Sequence, residues 1–140
     1  MVMNYINSFV RTIMGLDTYA FDGKKQAPDS NFDGISLCGG MFSGSGSSFR
    51  GKVYNSFVNW VTNDQVDLYT ERNSSDEVTL LYNAIDEFLL GGTSEELQDA
   101  LNELHNNGDI EYHYKIDEIR DLHKFMKVCV DNNYTLVGWW

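Results

Sequence analysis

Two helix-starting signals of one kind, Ser74-Ser-Asp-Glu77 and Thr93-Ser-Glu-Glu96, bracket the pair Gly91-Gly92 and leave the middle of this chain little conformational freedom. In each signal a hydroxyl accepts the backbone N–H three residues on. The glutamate there reaches back to the N–H of the hydroxyl residue, so two orphaned donors are satisfied together. Val78, Leu81, Tyr82, Ile85, Phe88 and Leu89 follow the first signal at helical spacing, and Leu97, Ala100, Leu101 and Leu104 follow the second. The glycine pair closes one helix and Gly108 the next. A helix over 75–90 and a second one after Thr93 make a two-helix hairpin.

The remaining periodicities assign the rest of the chain. Phe49, Val53, Phe57, Trp60 and Val61 predict a helix over Arg50 to Thr62, and Ile116, Ile119, Leu122, Met126, Cys129 and Val130 a final one ending at Asn132-Asn133. Ile6, Phe9, Val10 and Ile13 mark a short helix over 4–13. Strands are expected at Leu16 to Phe21, at Ile35 to Cys38, at Ile110 to Lys115 where apolar and polar residues alternate, and at Tyr134 to Trp140. The fold class is α+β: a single compact domain over 14–140, about four to five helices with a small antiparallel sheet, preceded by an N-terminal extension or short helix over 1–13. Trp139 and Trp140 are expected to be buried, because exposed they would form an apolar patch with no evident purpose. Cys38 and Cys129, far apart and in apolar surroundings, read as two buried thiols.

With 42% hydrophobic and 14% aromatic residues in 140, the chain can build a core without disulfides or metal. It has no apolar run long enough to cross a bilayer, and its first 14 residues lack a secretory pattern, so the expected location is the cytoplasm. The net charge of −11 is unevenly spread: residues 61–140 carry 17 acids against five bases. Such a field repels nucleic acid and anionic lipid and draws in cations, so the expected partner is a protein with a basic surface, with no direct nucleic-acid binding and no membrane. Glu95, Glu96, Asp99 and Glu103, on the second helix of the hairpin, are the candidate partner-binding residues.

A second candidate site is the stretch from Leu37 to Val53, which holds five glycines between 39 and 51 and runs directly into a helix. Gly46 to Lys52 fits G-x-x-x-x-G-K, the spacing by which backbone N–H groups cradle phosphate, but Val53 stands where a hydroxyl should hold magnesium. A simpler anion site remains, with Ser45, Ser47, Ser48, Arg50 and Lys52 as candidate ligand-binding residues at a helix N-terminus. His105, His113 and His123 are the only imidazoles, and none stands three or four residues from another histidine or a cysteine. No metal and no cofactor is therefore expected.

Met14-Gly-Leu-Asp-Thr-Tyr-Ala20, Ser36-Leu-Cys-Gly-Gly-Met-Phe-Ser-Gly44, Ser48-Phe-Arg-Gly-Lys-Val-Tyr54, Asp67-Leu-Tyr69 and the ending Leu136-Val-Gly-Trp-Trp140 together resemble a group of small uncharacterised proteins of bacteria and their phages. The resemblance spans Met14 to Trp140 and implies that residues 1–13 are an extension or follow a misplaced start. It implies a family and no reaction. The expected function is that of a non-enzymatic, macromolecule-binding accessory protein, with a small-molecule or phosphate site on loop 39–52 as the alternative.

Overall fold

The structure, a computed structural model, describes residues 15–39 and 46–140. Its helices run over Gly51–Val61 (α1), Ser75–Leu89 (α2), Ser94–Asn106 (α3) and Ile116–Asp131 (α4). Five short strands, Asp17–Asp22 (β1), Lys25–Gln26 (β2), Ser48–Phe49 (β3), Arg72–Asn73 (β4) and Thr135–Trp139 (β5), form one antiparallel sheet. This is the α+β single domain expected. The helix expected over 4–13 lies outside the described residues.

Both capping boxes form. Ser74 Oγ accepts the Glu77 N–H at 3.2 Å while Glu77 Oε1 accepts the Ser74 N–H at 3.0 Å, and Thr93 and Glu96 repeat the pair at 3.2 and 3.0 Å. Gly108 ends α3 with φ +81°, the left-handed turn that glycine adopts freely. Gly91 and Gly92 end α2 without any left-handed residue. Leu90 stays in the right-handed helical region and donates its N–H to Asp86 O.

The sheet is built around β1, which pairs with β5 along one edge and with β2 and β3 along the other. Register decides which side chains meet the helices. Thr18 lies opposite Gly138 and Ala20 opposite Leu136 on the buried face, while Tyr19 pairs with Val137 and Phe21 with Thr135 on the outer face. Inside, rings run in sequence across the domain. Phe32 meets Phe125 at 4.5 Å, Phe125 meets Phe49 at 4.9 Å, Phe49 meets Tyr54 at 5.7 Å, and Tyr54 stacks on Tyr114 at 6.0 Å. Such pairs add about 0.5–1.5 kcal/mol each to the burial of their area, so this file of rings ties the 3₁₀ turn Asp29–Phe32, β3, α1 and α4 into one core.

Four expectations are corrected. Ile35 to Cys38 is not a strand, because both edges of β1 are already taken. Its end is held by single bonds: the Cys38 N–H donates to Tyr54 Oη at 3.0 Å and the Cys38 C=O accepts the Arg50 N–H at 2.7 Å. Ile110 to Lys115 keeps the alternation, with Ile110 and Tyr114 buried and Glu111, His113 and Lys115 exposed, but among the described residues no strand pairs with it. Its backbone bonds go to side chains instead: the Glu111 N–H to Ser56 Oγ at 2.9 Å, and the Tyr114 C=O to Gln98 Nε2 at 3.0 Å. Trp139 and Trp140 are 71% and 49% exposed, because β5 register sets Trp139 opposite Asp17 at the end of the strand, on the face away from the helices. Cys38 is exposed, whereas Cys129 is buried as expected.

Candidate functional site

Around the glycine loop, the described residues turn their polar groups inward. Ser47 is fully buried; its hydroxyl donates to Asp29 Oδ1 at 2.6 Å, its N–H donates to the same oxygen at 3.1 Å, and Gln26 Nε2 donates to its Oγ at 2.7 Å. Ser48 is buried in β3. The Arg50 and Lys52 N–H groups donate to Cys38 O and Leu16 O. The N–H groups of Ser47, Arg50 and Lys52 are thus engaged by protein acceptors and are not presented to a phosphate. Arg50 Nη1 lies 3.5 Å from Asp17 Oδ1, whereas the Lys52 ammonium makes no ion pair among the described residues. Ser45 lies outside the described residues. Tyr54, beneath this region, donates to Glu118 Oε2 at 3.4 Å, and burial pushes its pKa up to about 12.

Two of the three histidines lie together and the third stands apart from them. His105 and His113 stack with centroids 4.8 Å apart, and His113 Nε2 stands 2.7 Å from Asn102 Oδ1. His123 Nε2 stands 3.0 Å from Asp86 Oδ1 and its ring lies against Tyr82. Among the described residues no group of three or more His, Cys, Asp or Glu is gathered as metal ligands.

The acidic residues form an arranged surface. Glu95, Asp99 and Glu103 recur every four residues and so lie in one exposed row along α3. Glu96 is exposed too, but its carboxylate closes the capping box, and the hydrogen bond from the Thr93 N–H lowers its pKa. From Val53 to Tyr114 the chain holds a single cation, Arg72. That guanidinium is turned to the sheet: it donates to Gly23 O at 3.1 Å and Thr135 Oγ1 at 2.7 Å, with the Phe21 ring 5.6 Å away. α2 and α3 themselves carry no lysine or arginine, and the cation that reaches α3 from α4 is Arg120, which donates to Ser94 Oγ at 2.7 Å at the first turn.

A groove opens between the C-terminal turn of α1 and one side of α2, in two lobes of about 540 and 340 Å³ that share Val61, Asn63, Ala84 and Glu87. Trp60 and Phe88 wall one lobe; Asp76, Leu80 and Asn83 line the other. Thr62 holds the rim in place: its hydroxyl donates to Val58 O at 2.7 Å and accepts the Val66 N–H at 3.1 Å, and the next two residues, Asn63 and Asp64, adopt φ +54° and +63°. Consecutive left-handed residues other than glycine are uncommon, and asparagine and aspartate tolerate them best. The sequence places Trp60 on the apolar face of the helix over Arg50 to Thr62 and does not reveal the groove. The available signal was Asn63-Asp64 one residue after the apolar Trp60-Val61, a pair suited to a left-handed turn at the end of the helix.

Among the described residues no helix is long and apolar enough to cross a membrane. No family model, no curated protein and no solved structure matches the chain.

Proposed function

We propose that this protein is a non-enzymatic binding domain whose partner is a protein with a basic surface, and that it serves as an accessory protein of a bacterium or phage in the cytoplasm. The observation that carries the reading is the stretch from Val53 to Tyr114, in which the one cation is turned away to the sheet while Glu95, Asp99 and Glu103 line up on α3. Three like charges on one helix row cost a few tenths of a kcal/mol each in helix stability. A cationic surface brought against them removes that repulsion and is steered in by the field. The resemblance of its segments to bacterial and phage proteins supports the setting. The alternative, an anionic ligand on loop 39–52, retains Arg50 and Lys52 but loses the Ser47 hydroxyl and three backbone donors to internal bonds.

The test is association with polylysine, measured calorimetrically at low salt and again at about 0.5 M, where screening shortens electrostatic reach to a few ångströms. The native chain should bind, less tightly as salt rises. Glu95→Lys with Asp99→Lys and Glu103→Lys should weaken binding by about tenfold or more and flatten the salt dependence. Unchanged affinity and salt slope in the triple variant defeat the reading.

A further inference from the structure

We infer that the groove between α1 and α2 docks a basic peptide segment of a partner protein, with an apolar side chain of that segment against Trp60 and Phe88 and its cations against Glu87 and Asp76. This deepens the reading above, on which the partner's charge rests, and adds to the α3 row a second contact for the same partner.

The two lobes, of about 540 and 340 Å³, are wide open to solvent, which suits side chains of a segment laid across the surface rather than an enclosed small molecule. The lining is amphipathic in an ordered way. Trp60, Val61, Leu80, Ala84 and Phe88 supply apolar surface, and Asp76, Asn83 and Glu87 stand on exposed positions of α2 beside it. Asn63, Gln65, Asp76, Asn83 and Glu87 make no side-chain hydrogen bond or ion pair among the described residues, so five polar groups converge with their bonding capacity open. Trp60 is 37% exposed yet held by rings on two sides, edge-on to Phe88 at 5.8 Å and tilted against Phe57 at 6.1 Å. A large aromatic side chain already fixed in place gives contact area with little further loss of rotamer freedom, which is why tryptophan recurs as an interface anchor.

Charge selects the occupant. The lining has two carboxylates and no lysine or arginine, and it sits within the stretch whose one cation, Arg72, is bound to the far side of the sheet. An anionic strand of nucleic acid or an acidic peptide would meet uncompensated repulsion there, whereas a lysine or arginine flanking an apolar residue finds both halves of its complement within one groove.

The test uses the full chain, labelled for NMR, and three synthetic helical peptides: lysine with leucine, lysine with serine, and glutamate with leucine. The lysine–leucine peptide should shift the Trp60 indole N–H and the backbone amides of Asn63, Ala84 and Glu87, and bind about tenfold or more tighter than either other peptide. Asp76→Asn with Glu87→Gln should weaken it by about tenfold, and so should Ala84→Phe, which fills the groove; a dispersed spectrum confirms that each variant folds. If the lysine–serine peptide does as well, or if the shifts fall on α3 alone, the groove is not the docking site while the basic-partner reading survives. If no lysine peptide binds anywhere, both fall together.

Discussion

Gly51, the first residue of α1, lies so close to the side-chain hydroxyl of Thr18 on β1 that a Cβ at that position would overlap it. Leu16 Cδ2 crowds the same point at 2.9 Å. The helix that walls the groove is therefore fixed to the centre of the sheet by the absence of a side chain. Two effects compete in Gly51→Ala: alanine is the better helix former by about 1 kcal/mol, while forcing a methyl into a closed contact costs about 1–3 kcal/mol. The contact is with β1 and Leu16, neither of which can retreat without moving the core, so destabilisation should win. Chemical denaturation of Gly51→Ala should show a lower midpoint, and an equal or higher one would contradict the contact.

The capping boxes make α2 and α3 responsive to single substitutions. Ser74→Ala should lower stability by about 1 kcal/mol, the usual worth of a serine cap. For Glu96 the effect depends on pH. Its pKa is lowered below the ordinary 4.5 by the hydrogen bond from the Thr93 N–H, so the folded state binds the proton less readily than the unfolded state does. That contribution is present above the unfolded value and is lost as pH falls through the folded one. In Glu96→Gln, thermal melts across acidic pH should lose the part of the slope that Glu96 contributes; an identical slope would show that the carboxylate is not engaged.

Alkaline pH addresses the buried ring file. Burial raises the pKa of Tyr54 from 10.0 to about 12 and raises that of Tyr114 as well. Both are acids made weaker by folding, so their neutral forms support the native state fully below pH 10, and the support disappears as pH climbs through the folded values. Tyrosinate absorbance should rise in two stages, with Tyr54 and Tyr114 ionising only at high pH, along with unfolding. A single titration of all eight tyrosines near pH 10 would refute the burial.

The two thiols should separate cleanly by reactivity. Cys38 is exposed and Cys129 is fully buried, its pKa raised by that burial. A thiol reagent should modify one cysteine per chain at once and the second only as the chain unfolds. Rapid modification of both would place Cys129 outside the core.

Phosphate, sulfate and nucleotides discriminate between the two functional readings. With the N–H groups of Ser47, Arg50 and Lys52 already donated to Asp29, Cys38 and Leu16, none should raise the melting temperature. A rise abolished by Arg50→Ala with Lys52→Ala would restore the anion site.

Much of this was readable locally. Ser74, Glu77, Thr93 and Glu96 act within four residues of one another, so their hydrogen bonds could be foreseen without knowing what the helices touch. The same holds for the charge spread and for Gly108. The errors came where a pattern had more than one partner to choose from. Ile110 to Lys115 alternates because one side faces a core, and a helical core imposes that alternation on an extended segment as well as a neighbouring strand does. Ser47 looked like a loop hydroxyl free for a ligand until Asp29 and Gln26 closed on it.

By itself, then, the order of residues determined where helices begin and end, how much of the chain is core and which half carries the charge, because periodicity, capping and composition act over a few residues. Tertiary structure alone decided that Trp139 faces outward, that Arg72 turns to the sheet and leaves the helical face anionic, and that Trp60 borders a groove with Glu87. Those outcomes depend on sheet register and on which helix sides meet, and both are set by contacts between residues far apart in the chain.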